Sequence, residues 1–101
     1  KDLNKAEYYL LEELKYFPYE PGILLKAISF YALREDTLKV ARYSYLYGLR
    51  TQNINGYIQS LSFYLRLPEK LEESRRIKNK LLKLAPNNKD LLFLIAKYNL
   101  K

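Results

Sequence analysis

Apolar residues recur along this chain at three- and four-residue steps, the period of one helix face, and no run alternates as a strand does. Start and stop residues divide the pattern into six segments. The first covers Leu3 to Phe17, with Asn4 and Glu7 spaced as a capping box and Pro18 at its end. Pro21 opens a second that runs to Arg34, and Asp36 or Thr37 caps a third that runs to Thr51. Asn53 to Asn55 turns the chain, Asn55 caps a fourth segment to Leu67, and Pro68 opens a fifth to Leu84. The last quarter, KLLKLAPNNKDLLFLIAKYN from Lys80 to Asn99, is a complete helix, turn and helix. Pro86 cannot continue the fifth helix, and Asn88 caps a sixth over Lys89 to Leu100. The pattern predicts an all-α chain of about six antiparallel helices in a single domain, residues 1–101.

The segments repeat. Pro18, Asn53 and Pro86 recur with a period of about 34 residues, and Ala6, Ala41 and Ser74 keep step with them. In the alternate helices Leu25, Ile58 and Leu92 share that period, as do Ile28, Leu61 and Ile95, and Ser29, Ser62 and Ala96. A fixed period of this length marks a repeat architecture. Small residues at one recurring place predict close helix crossings at Ser29, Ser62 and Ala96, with the large apolar residues filling space beside them.

This pattern resembles the tetratricopeptide repeat, a helix–turn–helix unit of the same length. The large-then-small pair of that family's first helix is matched by Leu25/Ser29, Ile58/Ser62 and Leu92/Ala96. Ala41, Tyr45 and Gly48 match its second helix, with Asn53 in place of the closing proline. The first segment offers Ala6, Leu10 and Pro18 but Glu13 at the small site, and the fifth offers Ser74 and Pro86 with Lys78 and Leu81 between. The resemblance implies a right-handed α-α superhelix that begins on a second helix and ends on a first one, with a concave groove lined by the first helices. Groove positions carried over residue by residue are Lys26, Phe30 and Leu33; Gln59, Phe63 and Arg66; and Phe93, Lys97 and Leu100, with Arg34 beside Leu33. Some members clamp a partner's terminal carboxylate at such places. Lys26 and Lys97 fit that clamp, but Phe30 and Phe63 stand where its asparagines would be.

Charge adds a direction. The net charge is +7. Residues 1–36 hold five bases and seven acids, 37–67 four bases and no acid, and 68–101 nine bases and four acids. The middle and end favour an acidic partner, although lysine on solvated helix faces has the same composition. Chemistry is given little by this sequence. Histidine and cysteine are absent, the pairs Glu12-Glu13 and Glu72-Glu73 point to different helix sides, and Gly22, Gly48 and Gly56 form no phosphate loop. No enzyme, cofactor or metal is expected. No apolar run reaches the roughly 18 residues that a membrane span requires.

The expected function is a protein-interaction scaffold holding a peptide or helix of a partner. Apolar Phe30, Phe63 and Phe93 would lie beside Lys26, Arg34, Arg66 and Lys97, with Gln59 in the same rows; the same rings can equally pack between helices. A second surface is offered by Tyr43, Tyr47 and Arg50, the composition of an interface hot spot. Two alternatives stand beside this. Arg75, Arg76, Lys78, Lys80 and Lys83 give the fifth helix a basic side suited to nucleic acid, against which Glu72 and Glu73 count. The chain can also be a structural spacer in a longer array. DLLFLIAKYNL at the end is too apolar to face water alone, and the first residue is Lys1 rather than Met. The apolar helix predicts a longer natural protein or a contact with another chain, self-association through the terminal helices included, and the first residue predicts a processed or excised piece.

Overall fold

The computed structural model describes residues 3–100, and among them the six predicted helices form and no strand does. They are α1 (Leu3–Tyr16), α2 (Pro21–Leu33), α3 (Thr37–Thr51), α4 (Ile54–Tyr64), α5 (Leu71–Leu84) and α6 (Lys89–Lys97). Caps explain most boundaries. Asp36 accepts from the Lys39 N–H at 3.2 Å and Asn88 from the Leu91 N–H at 3.0 Å. Glu20 does the same for Ile23 at 2.9 Å ahead of Pro21. Three helices close on a left-handed residue that is not glycine: Glu35, Gln52 and Asn99. After each of these the next N–H reaches back to the helix, as Leu100 does to the Ile95 carbonyl at 2.9 Å. Asn99 thus ends α6 at Lys97, short of the predicted end at Leu100.

Three expectations at the helix ends need correction. Asn53, and not Asn55, caps α4, accepting from the Asn55 N–H at 2.9 Å. α4 stops at Tyr64 because Pro68 forces Leu67 into extended backbone, and Pro68–Lys70 then makes a single 3-10 turn before α5. Asn4 lies inside α1, and Glu7 makes no capping box. Its carboxylate turns outward to α2, accepting from the Tyr31 hydroxyl at 2.7 Å and from Arg34 at 2.9 Å.

Packing runs chiefly between helices adjacent in the chain, with α4 also meeting α6, in a body of 41 × 25 × 19 Å. The arrangement is a helical bundle. Its core has two clusters. Leu10, Leu14, Leu24, Ala27, Tyr31 and Val40 form the N-terminal one. Ala41, Tyr57, Leu61, Tyr64, Ile77, Leu81, Leu91, Leu94 and Leu100 form the C-terminal one. Phe63 packs against both, and α3 sends residues into each.

Burial repeats with the predicted period but on a different face. Leu24, Tyr57 and Leu91 are buried one period apart, as are Ala27, Ser60 and Leu94. In the other helices Leu10, Ser44 and Ile77 are buried in step, and so are Leu14, Gly48 and Leu81. Ser29 and Ala96 are exposed and Ser62 is only half-buried, so the predicted crossings lie elsewhere. On α4 the buried small residues are Gly56 and Ser60, and the Ser60 hydroxyl donates to the Ala41 carbonyl at 2.7 Å. α2 and α6 are apolar around most of their circumference, so spacing alone leaves their inward face open. The neighbouring helices decide it.

Candidate functional site

The residues assigned to a groove are not gathered into one trough. Lys26 is exposed but tied to Glu13 of α1 at 2.9 and 3.0 Å. Arg34 is tied to Glu7, which Lys39 also approaches at 3.9 Å. Phe30 is half-buried against the N-terminal cluster, and with Lys26 it lines a hollow against α1. Phe63 and Arg66 line a different hollow, with Glu35, Asp36 and Thr37. Gln59 is exposed, Phe93 is 63% exposed, and Leu33 points to solvent while Leu100 is buried. One relationship does recur. Arg34 lies 5.5 Å from the ring centre of Phe30, Arg66 4.6 Å from Phe63 and Lys97 5.9 Å from Phe93. Each of α2, α4 and α6 therefore carries a phenylalanine with a cation from the next turn over its ring.

Tyr43 and Tyr47 belong to the core more than to an outer surface. Both pack against the N-terminal cluster, because α3 is sandwiched between α2 and α4; only Arg50 is exposed. Tyr43 stacks parallel on Tyr31 at 5.9 Å and 7°. Burial, the hydrogen bond to Glu7 and the Glu7 charge push the Tyr31 hydroxyl far above its ordinary range. The same hydrogen bond, with the charges of Arg34 and Lys39, holds the Glu7 carboxyl below its own.

A further recess lies one period on. Tyr45 of α3, Tyr64 of α4 and Glu73, Arg76, Ile77 and Lys80 of α5 enclose about 370 Å³. The offset that carries Tyr31 onto Tyr64 also carries Val40, Tyr43, Ser44 and Tyr47 onto the four α5 residues in order. Between α2 and α3 those positions are filled by an apolar and aromatic pack. Between α4 and α5, Val40 is replaced by Glu73, Tyr43 by Arg76 and Tyr47 by Lys80. Among the described residues no ring stacks on Tyr64, the counterpart of Tyr31, and the space stays open. The recess is the second copy of a core junction with its tyrosines exchanged for cations.

Its electrostatics follow from those exchanges. Lys80 Nζ donates to the Tyr45 hydroxyl at 3.3 Å and sits 5.3 and 4.8 Å from the ring centres of Tyr45 and Tyr57. That hydrogen bond, against a smaller desolvation cost, raises the Lys80 ammonium above its ordinary value, so it stays charged. Burial raises the Tyr64 hydroxyl, which remains a neutral donor and acceptor. Arg76 is exposed at the mouth and brings a planar fork of donors. Such a set suits one carboxylate between Arg76 and Lys80. Glu73 in the same wall disfavours a run of negative charges. Lys78, assigned to the basic side of α5, is buried. Spacing could have found this recess: sliding α3 onto α5 by the same offset sets Tyr43 and Tyr47 against Arg76 and Lys80.

Among the described residues no cluster of histidine, cysteine, aspartate and glutamate could hold a metal ion, and no helix is long and apolar enough to cross a membrane. No family model matches the chain, and no curated protein or solved structure shows significant similarity to it.

Proposed function

We propose that this chain is a protein-interaction scaffold that binds an acidic segment of a partner, seating one carboxylate side chain in the Tyr45/Tyr64/Arg76/Lys80 recess. The observation that carries the proposal is the exchange of Tyr43 and Tyr47 for Arg76 and Lys80 at junctions one period apart. Cations in place of core tyrosines forgo packing, and a partner's carboxylate would restore what the junction lacks. The buried rows, recurring with the period of the sequence, support reading the six helices as a right-handed superhelical array of the tetratricopeptide kind. In such an array Phe63 with Arg66, and Phe93 with Lys97, belong to the groove side of α4 and α6 and offer apolar anchors beside charge apart from the recess. Lys26 and Arg34 take part only by leaving Glu13 and Glu7. The scaffold binds and performs no chemical step.

Nucleic acid is the competing ligand, and Glu73 within the recess argues against a phosphate backbone. The test is selection from a displayed peptide library randomised around a fixed glutamate, followed by fluorescence polarisation of the enriched peptide and of a single-stranded oligonucleotide. The double variant Arg76→Tyr/Lys80→Tyr restores the two tyrosines of the first junction at the second. It is expected to lose peptide binding while melting no lower than the parent. Failure to enrich any peptide would overturn the proposal. So would a double variant that binds as the parent does, or binding of the oligonucleotide alone with a steep salt dependence.

A further inference from the structure

Equivalent positions are covered to different extents along the array. Tyr31, Tyr64 and Tyr98 stand one period apart on α2, on α4 and just past α6. Tyr31 and Tyr64 are 2% and 7% exposed, each beside the helix that follows, whereas Tyr98 is 37% exposed. The ring that covers Tyr31 is Tyr43, stacked parallel on it. One period before Tyr43 stands Tyr9 on α1, which is 57% exposed. One end of the molecule thus presents the lower ring of this stack and the other end presents the upper ring.

We propose that the chain associates head to tail with copies of itself. α6 of one copy packs on α1 of the next, and Tyr98 stacks on Tyr9 as Tyr31 stacks on Tyr43. The surroundings of both rings fit a contact of this kind. Phe93 is 63% exposed on α6, and Tyr8 and Leu11 are 59% and 45% exposed on α1. Charge is complementary as well: α1 carries three acids and two bases, a net −1, and α6 two bases and one acid, a net +1. Lys89 and Lys97 on α6 would face Glu12 on α1. The two faces differ, so the contact is heterologous, and each copy added leaves a free α6 and a free α1. The α3–α5 recess is not used, and the proposal does not rest on it.

Sedimentation velocity of the whole chain over a concentration series tests this. The expected result is a ladder of species that lengthens with concentration and shortens with salt. Tyr9→Asp and Tyr98→Asp should each weaken association by roughly tenfold or more. Their equimolar mixture should form a one-to-one dimer that grows no further, because only one intact pair of ends remains. Circular dichroism checks that both variants keep their helices. If either does not, the charge reversals Glu12→Lys and Lys97→Glu replace them, each weakening association alone and restoring it when mixed. A monomer at every concentration would overturn the proposal. A closed dimer that survives Tyr98→Asp would do the same, since it would show α1 pairing with α1.

Discussion

Gly56 of α4 meets Gly48 of α3 backbone to backbone: a methyl group on Gly56 would come within 2.6 Å of the Gly48 Cα and 2.8 Å of its nitrogen. Two helices can approach this closely only where neither carries a side chain. Gly56→Ala must push them apart, which costs about 3 kcal/mol by overpacking and returns about 1 kcal/mol of helix propensity. The net loss should lower the midpoint of a thermal melt by on the order of 10 °C. An unchanged midpoint would show that the crossing is looser than described.

Ser60 and Ser62 separate the observed inward face from the predicted one. Ser60 is fully buried and bonded to the Ala41 carbonyl, while Ser62 is half-buried. Ser60→Leu should lose that bond and overpack, costing about 2–4 kcal/mol in chemical denaturation. Ser62→Leu should change stability by less than about 1 kcal/mol. Reversed magnitudes would return the crossing to Ser62.

That pair also shows how much the sequence made legible. Six helices, the cap Asn88, a cap at Asp36 or Thr37 and the length of the period could all be read, because they rest on local chemistry and on counting. The phase of the repeat could not. In ISFYALR and LSFYLRL apolar residues occupy several faces at once, and a row two positions away keeps the same spacing. Which row turns inward depends on what Val40 and Ala41 of the next helix present to it. The recess was hidden for a related reason. Arg76 and Lys80 read as one side of a basic helix until their places are seen to be those of Tyr43 and Tyr47. Glu7 read as a cap because Asn4 stands one turn before it, and only the fold brings Tyr31 and Arg34 to its carboxylate.

Glu7 makes stability depend on pH. Its carboxyl is held below the ordinary value of 4.5, first by the Tyr31 hydroxyl and then by Arg34 and Lys39. The folded state thus takes up this proton less readily than the unfolded chain. The stabilisation is complete above about pH 4.5 and is lost as pH falls through the folded value. Glu7→Gln should melt lower than the parent at pH 7, and the gap should close toward pH 3. At the alkaline end the raised Tyr31 value has the opposite sign. Its stabilisation is full below the ordinary 10.0 and drains as pH rises beyond it. A gap constant from pH 7 to pH 3 would remove Glu7 from this role.

Ser74 is fully buried, and its hydroxyl has no hydrogen-bond partner among the described residues. Its counterpart one period earlier is Ala41. Ser74→Ala removes an unpaired polar group and leaves the methyl-sized space filled. It should stabilise the chain by about 1 kcal/mol, seen as a rise of roughly 4–8 °C in melting temperature. A fall would reveal a bond that the hydroxyl makes after all.

α3 is a wall shared by two cores, with Val40, Tyr43, Leu46 and Tyr47 on one side and Ala41 and Tyr45 on the other. Cooperativity must cross that wall, and Phe63 is the ring that touches both sides. Unfolding is then the opening of two coupled units, each with its own free energy, joined by a nearest-neighbour term. Whatever holds α3 in place sets how far disorder at one end of the chain is felt at the other.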